Sequence, residues 1–449
     1  MTSLFDQSAL TDLAGRLVEA ARKAGADAAD AVAVRSVSQS VEIRDGAVEE
    51  SERSEGDDFG LRVFVGKRQA VVSTNDVRAS AATLAERAVA MAKVAPEDKF
   101  AGLADPSLLA RQFPDLDLVD ADMPTVGRLE ELAREAEAAA MADRGVTKSG
   151  GASASAGVGG MVLMTSHGFR GAYLGSRYGI SMTAIAGEGT AMERDYDYSS
   201  ALHAADLDTP EKIGRTAAKR AVERLNPRKP STGRVPVVFD PRVAGSLIGH
   251  LAGAINGEAI TRKTSFLQGK LGQPVFGKTI RIIDDPLRKR GQASRPFDGE
   301  GVAGRRLAIV DAGVITTWLL DSATARELGL QTTGHAQRGV SSSPSPGATN
   351  LHLEPGPLSP DDLIADIAEG FYVTDLIGRG VNIVTGDYSR GASGFWIEKG
   401  KRTYPVSEVT IAGHLNDIFR SLTPANDLEF RYATNAATVR VEGLTVAGR

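Results

Sequence analysis

Apolar residues recur at three- and four-residue steps through Leu10, Leu13, Ala14, Leu17, Val18 and Ala21, which is one face of a surface helix that closes near Gly25. The pattern then changes period. Ala31 to Arg44 alternates Val with polar residues, Asp45-Gly46 is a hairpin turn, and Phe59–Val65 and Gln69–Ser73 flank a second turn at Gly66-Lys67-Arg68. An antiparallel meander beside the first helix follows. Asp76 is expected to cap a second helix with Ala81, Leu84, Ala88 and Met91 inward, and Pro124 or Thr125 to open a third that runs through Met141. Residues 150–190 carry strand patterns rich in Gly, Ala and Ser, and Pro210 to Leu225 is helical again.

The stretch Asn226-Pro227-Arg228-Lys229-Pro230-Ser231-Thr232-Gly233 has the composition of a linker. It divides the chain into an N-terminal α+β domain, residues 1–227, and a C-terminal, mainly β domain, residues 228–449. In the second domain Arg234–Phe239 reads as a strand and Val243–Asn256 as a helix burying Leu247, Ile248, Leu251, Ala252 and Ile255. Strand patterns follow at 280–283, 307–310, 313–320, 371–377, 381–385, 393–398 and 401–406. Short helices are expected over 361–369 and 409–422. The fold class is therefore α+β, an antiparallel sheet with helices followed by a mainly β domain with a few helices.

Composition removes several function classes. At 449 residues, two domains are the natural division. A net charge of −5 leaves no broad basic field, which argues against direct nucleic-acid binding. Cysteine is absent, so thiolate ligands, thiol nucleophiles and disulfides are unavailable, and a reducing cytoplasm suits the chain. No segment approaches the ~20 apolar residues of a membrane span.

Several stretches together carry a resemblance. Arg44-Asp45-Gly46 followed by Gly60-Leu61-Arg62-Val63, the segment Leu353–Ser359 (LEPGPLS) and the run Gly391–Leu415 (GASGFWIEKGKRTYPVSEVTIAGHL) stand in the order and spacing of one family. Over essentially its whole length the chain resembles the E-type (PmbA/TldE) subunits of the TldD/TldE metalloprotease family, also known as modulators of DNA gyrase. The resemblance implies a subunit of a heterodimeric, cytoplasmic metallopeptidase acting on peptides or unfolded protein beside a TldD-type catalytic subunit that holds zinc. It leaves open a homodimer when that partner is absent.

In the D-type partner the helix after the linker bears His-Glu-x-x-x-His, with a distant Cys completing the metal site. Aligned on Gly253, the first His falls at Gly249, the Glu at His250 and the second His at Ala254. Catalytic zinc needs about three protein ligands. One imidazole and no thiolate do not supply them, so no catalytic residue, metal or other cofactor is expected in this chain. The weak candidates for a substitute are His250 and Glu258, with Asn256-Gly257 expected to end the helix between them. The other histidines lack metal-ligand spacing, and Ser341-Ser342-Ser343 lacks the strand, turn and helix context of a catalytic serine. Asp284-Asp285 reads as a turn and Asp361-Asp362 as a helix start. The basic cluster Arg288-Lys289-Arg290 lacks base-stacking aromatics. Arg390, Ser393, Phe395 and Trp396, in a Gly-rich stretch, are candidates for a peptide- or partner-binding groove, against a reading in which the aromatics fill the core. Two rivals to the subunit reading remain: an autonomous metallopeptidase with an atypical site, and a homodimeric peptide- or protein-binding module.

Overall fold

The computed structural model describes residues 6–448. Helix α1 (Ser8–Lys23) buries Leu10, Ala14, Leu17, Val18 and Ala21, the stripe its sequence spells. It lies beside strands β1 (Ala28–Arg44), β2 (Ala47–Val65) and β3 (Arg68–Thr74), joined by turns in which Asp45, Gly46 and Gly66 take positive φ. Helix α2 (Ala81–Val94) is capped by Ser80, whose hydroxyl accepts from Thr83 N–H. Asp76 instead closes a turn onto Arg78 N–H. The inward face is Ala85, Ala88, Val89 and Ala92, while Met91 points to solvent. Helix α3 (Val126–Met141) begins at the Thr125 cap, and β4 (Val146–Thr165), β5 (Arg170–Ala186), β6 (Glu193–Ala201) and α4 (Pro210–Glu223) complete the first half. The six strands form one antiparallel sheet in the order β3-β2-β1-β4-β5-β6, so β3 and β6 are its edges.

Beyond residue 232, strand β7 (Gly233–Phe239) pairs in parallel with Glu369–Ile377 and antiparallel with Val439–Ala447. Asp387–Glu398 and Lys401–His414 continue the sheet, and Thr410–Ala412 pairs back onto Thr445–Ala447. The ladder thus closes into a five-stranded barrel, which leaves no free edge. Helix α5 (Pro241–Ala254) packs Leu247, Ile248 and Leu251 into the same core as Phe371, Ile411 and Trp396. Residues 409–414, expected as helix, are strand: Glu408 at φ 54° shifts the register and Val409 and Ile411 then alternate into the core. Only Leu415–Ser421 is helical there. The expected helix at 361–369 stops at Ile364, the 381–385 strand is a turn with one bridge to Tyr388, and of 313–320 only Val314–Ile315 is strand. Short apolar runs without a clear period could not separate these states.

The sheet and the later residues meet through buried charge. Asp30 on β1 lies 2.5 Å from Arg62 Nη2 on β2 and 2.6 Å from Arg338 Nη1, the latter an ion pair at an angle short of a hydrogen bond. All three side chains are at most 4% exposed. Burial opposes ionisation of Asp30, but the two guanidiniums overcome it and hold its carboxyl below the usual range. Asp298, Glu300 and Asp321 are also buried nearby, with Glu300 accepting from Ser322 N–H at 2.8 Å. Burial, then Asp298, pushes Glu300 up to about 7. Phe297 joins Phe113, Phe169 and Tyr173 at centroid distances of 5.1–5.3 Å, and a Cβ at Gly60 would sit 1.8 Å from Val340 O, so only glycine lets that backbone approach.

Two stability measurements follow. Because the Glu300 carboxyl is raised from 4.5 to about 7, the folded state holds its proton more tightly than the unfolded state, and stability falls as pH rises across that window. Glu300→Gln should leave stability at pH 4 unchanged and raise it at pH 8, on the order of 3 kcal/mol at most, as read by urea unfolding at both pH values. Asp30→Ala, which removes the carboxylate in contact with both Arg62 and Arg338, should cost about 3–5 kcal/mol in the same assay.

Candidate functional site

Helix α5 begins where the Asp240 carboxylate accepts from Arg242 N–H at 3.0 Å and Pro241 fills the first position. It ends at Ala254. Asn256 caps a separate helix, Gly257–Thr261, by accepting from Glu258 N–H at 2.9 Å. At Gly257 a Cβ would lie 2.6 Å from Thr324 Oγ1, so the start of this second helix packs closely on Thr324. His250 and Glu258 therefore stand on different helices. Glu258 pairs with Arg262 at 3.1 Å, and His250 packs edge-on against Tyr388 at a centroid distance of 6.0 Å.

The surroundings of His250 disfavour a metal. Its Nε2 is buried without a hydrogen-bond partner, as is the Tyr388 hydroxyl. Burial, reinforced by the Arg390 cation, lowers the imidazole to about 4. A metal-binding histidine is instead usually oriented by a carboxylate or carbonyl on its second nitrogen. Gly249 is exposed with open space around its Cα, and Ala254 is fully buried with its carbonyl accepting from Ser265. Among the described residues no group of three or more His, Asp or Glu could hold a metal ion. The donor set on α5 does not fit a hydrolytic zinc.

The four groove candidates are not brought together. Strand alternation sends Trp396 into the barrel core and Phe395 to the opposite side, where it packs against Ile364 and Ile367 and also lines a cavity of about 320 Å³. Ser393 is buried, and Arg390 donates to Ile377 O at 3.3 Å beside α5.

One arrangement that the sequence did not suggest resembles a catalytic relay. His335 Nε2 lies 3.0 Å from Asp284 Oδ2 and its Nδ1 2.9 Å from Thr333 Oγ1. The order hydroxyl, imidazole, carboxylate is that of a nucleophile relay. All three groups are buried, however, and the Thr333 hydroxyl is already occupied by Leu320 N–H at 2.8 Å. Asp284 also accepts from Thr349 N–H at 2.7 Å. The cluster ties loops together; Asp284 ends a strand, and the expected turn begins at Asp285, whose carboxylate accepts from Leu287 N–H at 3.0 Å.

A second missed feature borders β6. Three adjoining cavities of about 320, 390 and 200 Å³ follow it, touching Asp195, then Tyr196 to Tyr198, then Ser200 to Leu202. Tyr196 stacks on Tyr198 at 6.2 Å, and Tyr198 meets Tyr432 at 5.7 Å. Across from them Arg402 lies 4.7 Å over Tyr372, and Arg288 lies over Phe430. Residues so far apart in sequence give no local signal.

Comparison with known proteins bears on this architecture. Family models described as PmbA/TldA metallopeptidase domain 1, central domain and C-terminal domain match residues 29–92, 120–225 and 232–448. Metalloprotease PmbA of Escherichia coli O157:H7 is 39% identical over 94% of this chain and 93% of its own length. The chain belongs to the PmbA/TldD metallopeptidase family. A metalloprotease PmbA homolog of Haemophilus influenzae is 41% identical over 96% of this chain and 94% of its own, and a metalloprotease TldD homolog of the same organism is 28% identical over 48% and 45%. A crystal structure described as a putative modulator of DNA gyrase from Bacteroides thetaiotaomicron superposes with TM-score 0.90 over 98% of both chains at 30% identity. TldE from Thermococcus kodakarensis shares the fold, with TM-score 0.86 at 20% identity over 97% of this chain and all of that one.

Family membership makes the α5 environment testable. His250→Phe removes a buried, unpartnered nitrogen and should leave stability unchanged or slightly raised, whereas a metal-bound or hydrogen-bonded imidazole would cost at least ~1–3 kcal/mol on replacement, as measured by denaturant unfolding.

Proposed function

We propose that this chain is the metal-lacking subunit of a heterodimeric PmbA/TldD-type metallopeptidase, working beside a zinc-bearing D-type partner on peptides or unfolded protein. The observation that carries the reading is the donor set of α5: the positions aligned with the motif are Gly249, His250 and Ala254, and the single imidazole faces Arg390 without a carboxylate. Haemophilus influenzae carries relatives of both kinds, which supports a division of labour between two chains. This chain needs no cofactor of its own, and the absence of cysteine accords with work in the cytoplasm. Among the described residues no helix is long and apolar enough to cross a membrane. The net charge of −5 argues that contact with nucleic acid is not part of the role.

The test is purification of the chain alone and co-expressed with a D-type chain from the same organism, followed by zinc analysis and a peptidase assay on an unfolded protein. Alone, it should carry sub-stoichiometric zinc and cleave nothing. Together the two should co-purify, with zinc and cleavage both abolished by substituting the partner's histidines. Stoichiometric zinc with cleavage by the isolated chain would establish an autonomous peptidase instead, and failure to co-purify would favour a homodimeric binding module.

A further inference from the structure

We infer that the groove bordering β6 is a binding site for an extended peptide segment carrying acidic side chains four residues apart on either side of an aromatic one. This rests on the reading that the chain handles peptides, but the site lies at the N-terminal end of α5, lined by Asp240 and Arg242, and His250 does not line it. Charge pairing decides the sign of the ligand. Most carboxylates of the groove are paired with a cation: Asp195 and Asp240 with Arg242 at 2.8 and 3.5 Å, Asp197 with Arg220 at 2.8 Å, Glu223 with Lys219 at 3.8 Å, and Glu429 with Arg431 at 2.8 Å. Asp206 pairs with Arg290 at 2.9 Å, whereas Asp427 accepts from the neutral Thr438 N–H and hydroxyl at 2.9 and 2.7 Å and keeps its charge. Among the described residues, Arg402, Arg288 and Lys289 have no carboxylate within 4 Å, three cations against the one unpaired carboxylate of Asp427, so the charge left to a ligand is on balance positive.

Position decides the spacing. Arg402 borders the cavities that touch residues 195–198, and Arg288 and Lys289 border the one that touches residues 200–202. About four strand residues separate them, roughly 13 Å at ~3.3 Å per residue. In an extended peptide, side chains at i, i+2 and i+4 share one face, so acids at i and i+4 reach the two cationic ends while the residue at i+2 meets the Tyr196–Tyr198–Tyr432 stack. The peptide does not simply extend the sheet, because the Tyr196 and Ser200 carbonyls already accept from Arg220 at 3.1 Å and from Gln292 at 2.6 Å. Side chains therefore select it, and both guanidiniums lie over aromatic rings, with a carboxylate as the complementary group.

Fluorescence anisotropy on the chain alone tests the site, with a capped, labelled peptide bearing Glu at i and i+4 and Phe at i+2. Replacing both Glu by Lys should weaken binding at least tenfold, and Arg402→Gln and Arg288→Gln should each weaken the Glu peptide by about the same factor. Arg402→Glu should reverse the preference toward the Lys peptide, a gain that a misfolded variant cannot give. Equal affinity for the two peptides, no binding of either, or indifference to all three substitutions would overturn the inference. Zinc bound to the isolated chain would overturn the preceding proposal and leave this result standing.

Discussion

The position of the large sheet against the rest of the molecule depends on Asp30, a buried carboxylate held between two buried guanidiniums. Arg62 reaches it from the neighbouring strand and Arg338 from a loop some three hundred residues later in the chain, so one ion cluster spans elements that no local pattern joins. Desolvating these groups is costly, and the cluster persists because each charge has a counter-charge in contact. Its carboxylates outnumber the fully buried guanidiniums, and the excess is relieved by a proton on Glu300 near neutral pH. The aromatic group around Phe297 and the close backbone approach at Gly60 lie at the same junction. Apolar packing and buried charge thus fix one arrangement of sheet and barrel.

That arrangement creates the groove. Edge strand β6 lies against the loops and strands that contribute Tyr372, Arg402 and Tyr432, and its aromatic wall comes from segments more than two hundred residues apart. The barrel does different work. It closes its own hydrogen bonds around a core into which α5 is packed, making α5 a rigid support whose exposed Gly249 and half-buried His250 carry no metal-ligand geometry.

The sequence legibly encoded elements with a long, clean period. Helix α1, the turn at Asp45-Gly46, the Thr125 cap and the apolar face of α5 are where the spacing puts them. It misread places where several states share one pattern. Val409 and Ile411 satisfy helix and strand alike until Glu408 shifts the register, and Phe395 and Trp396, adjacent in sequence, are sent to opposite sides of a strand. Residues 386–396 thus do not form one surface, while the surface that does form along β6 has no contiguous signature.

By itself, the sequence determined the ligand inventory: one imidazole on α5, glycine and alanine at the neighbouring motif positions, and no thiol anywhere in the chain. These are properties of residue identity, and folding cannot add a donor atom. Tertiary structure decided what identity leaves open, namely which charges are already neutralised and which remain available to a ligand. Asp195 and Arg402 are both charged groups facing the groove, but only the fold supplies Asp195 with Arg242 at 2.8 Å and leaves Arg402 without a carboxylate. Pairing depends on distance in space, and spacing along the chain does not specify that distance for residues brought together only by long-range packing.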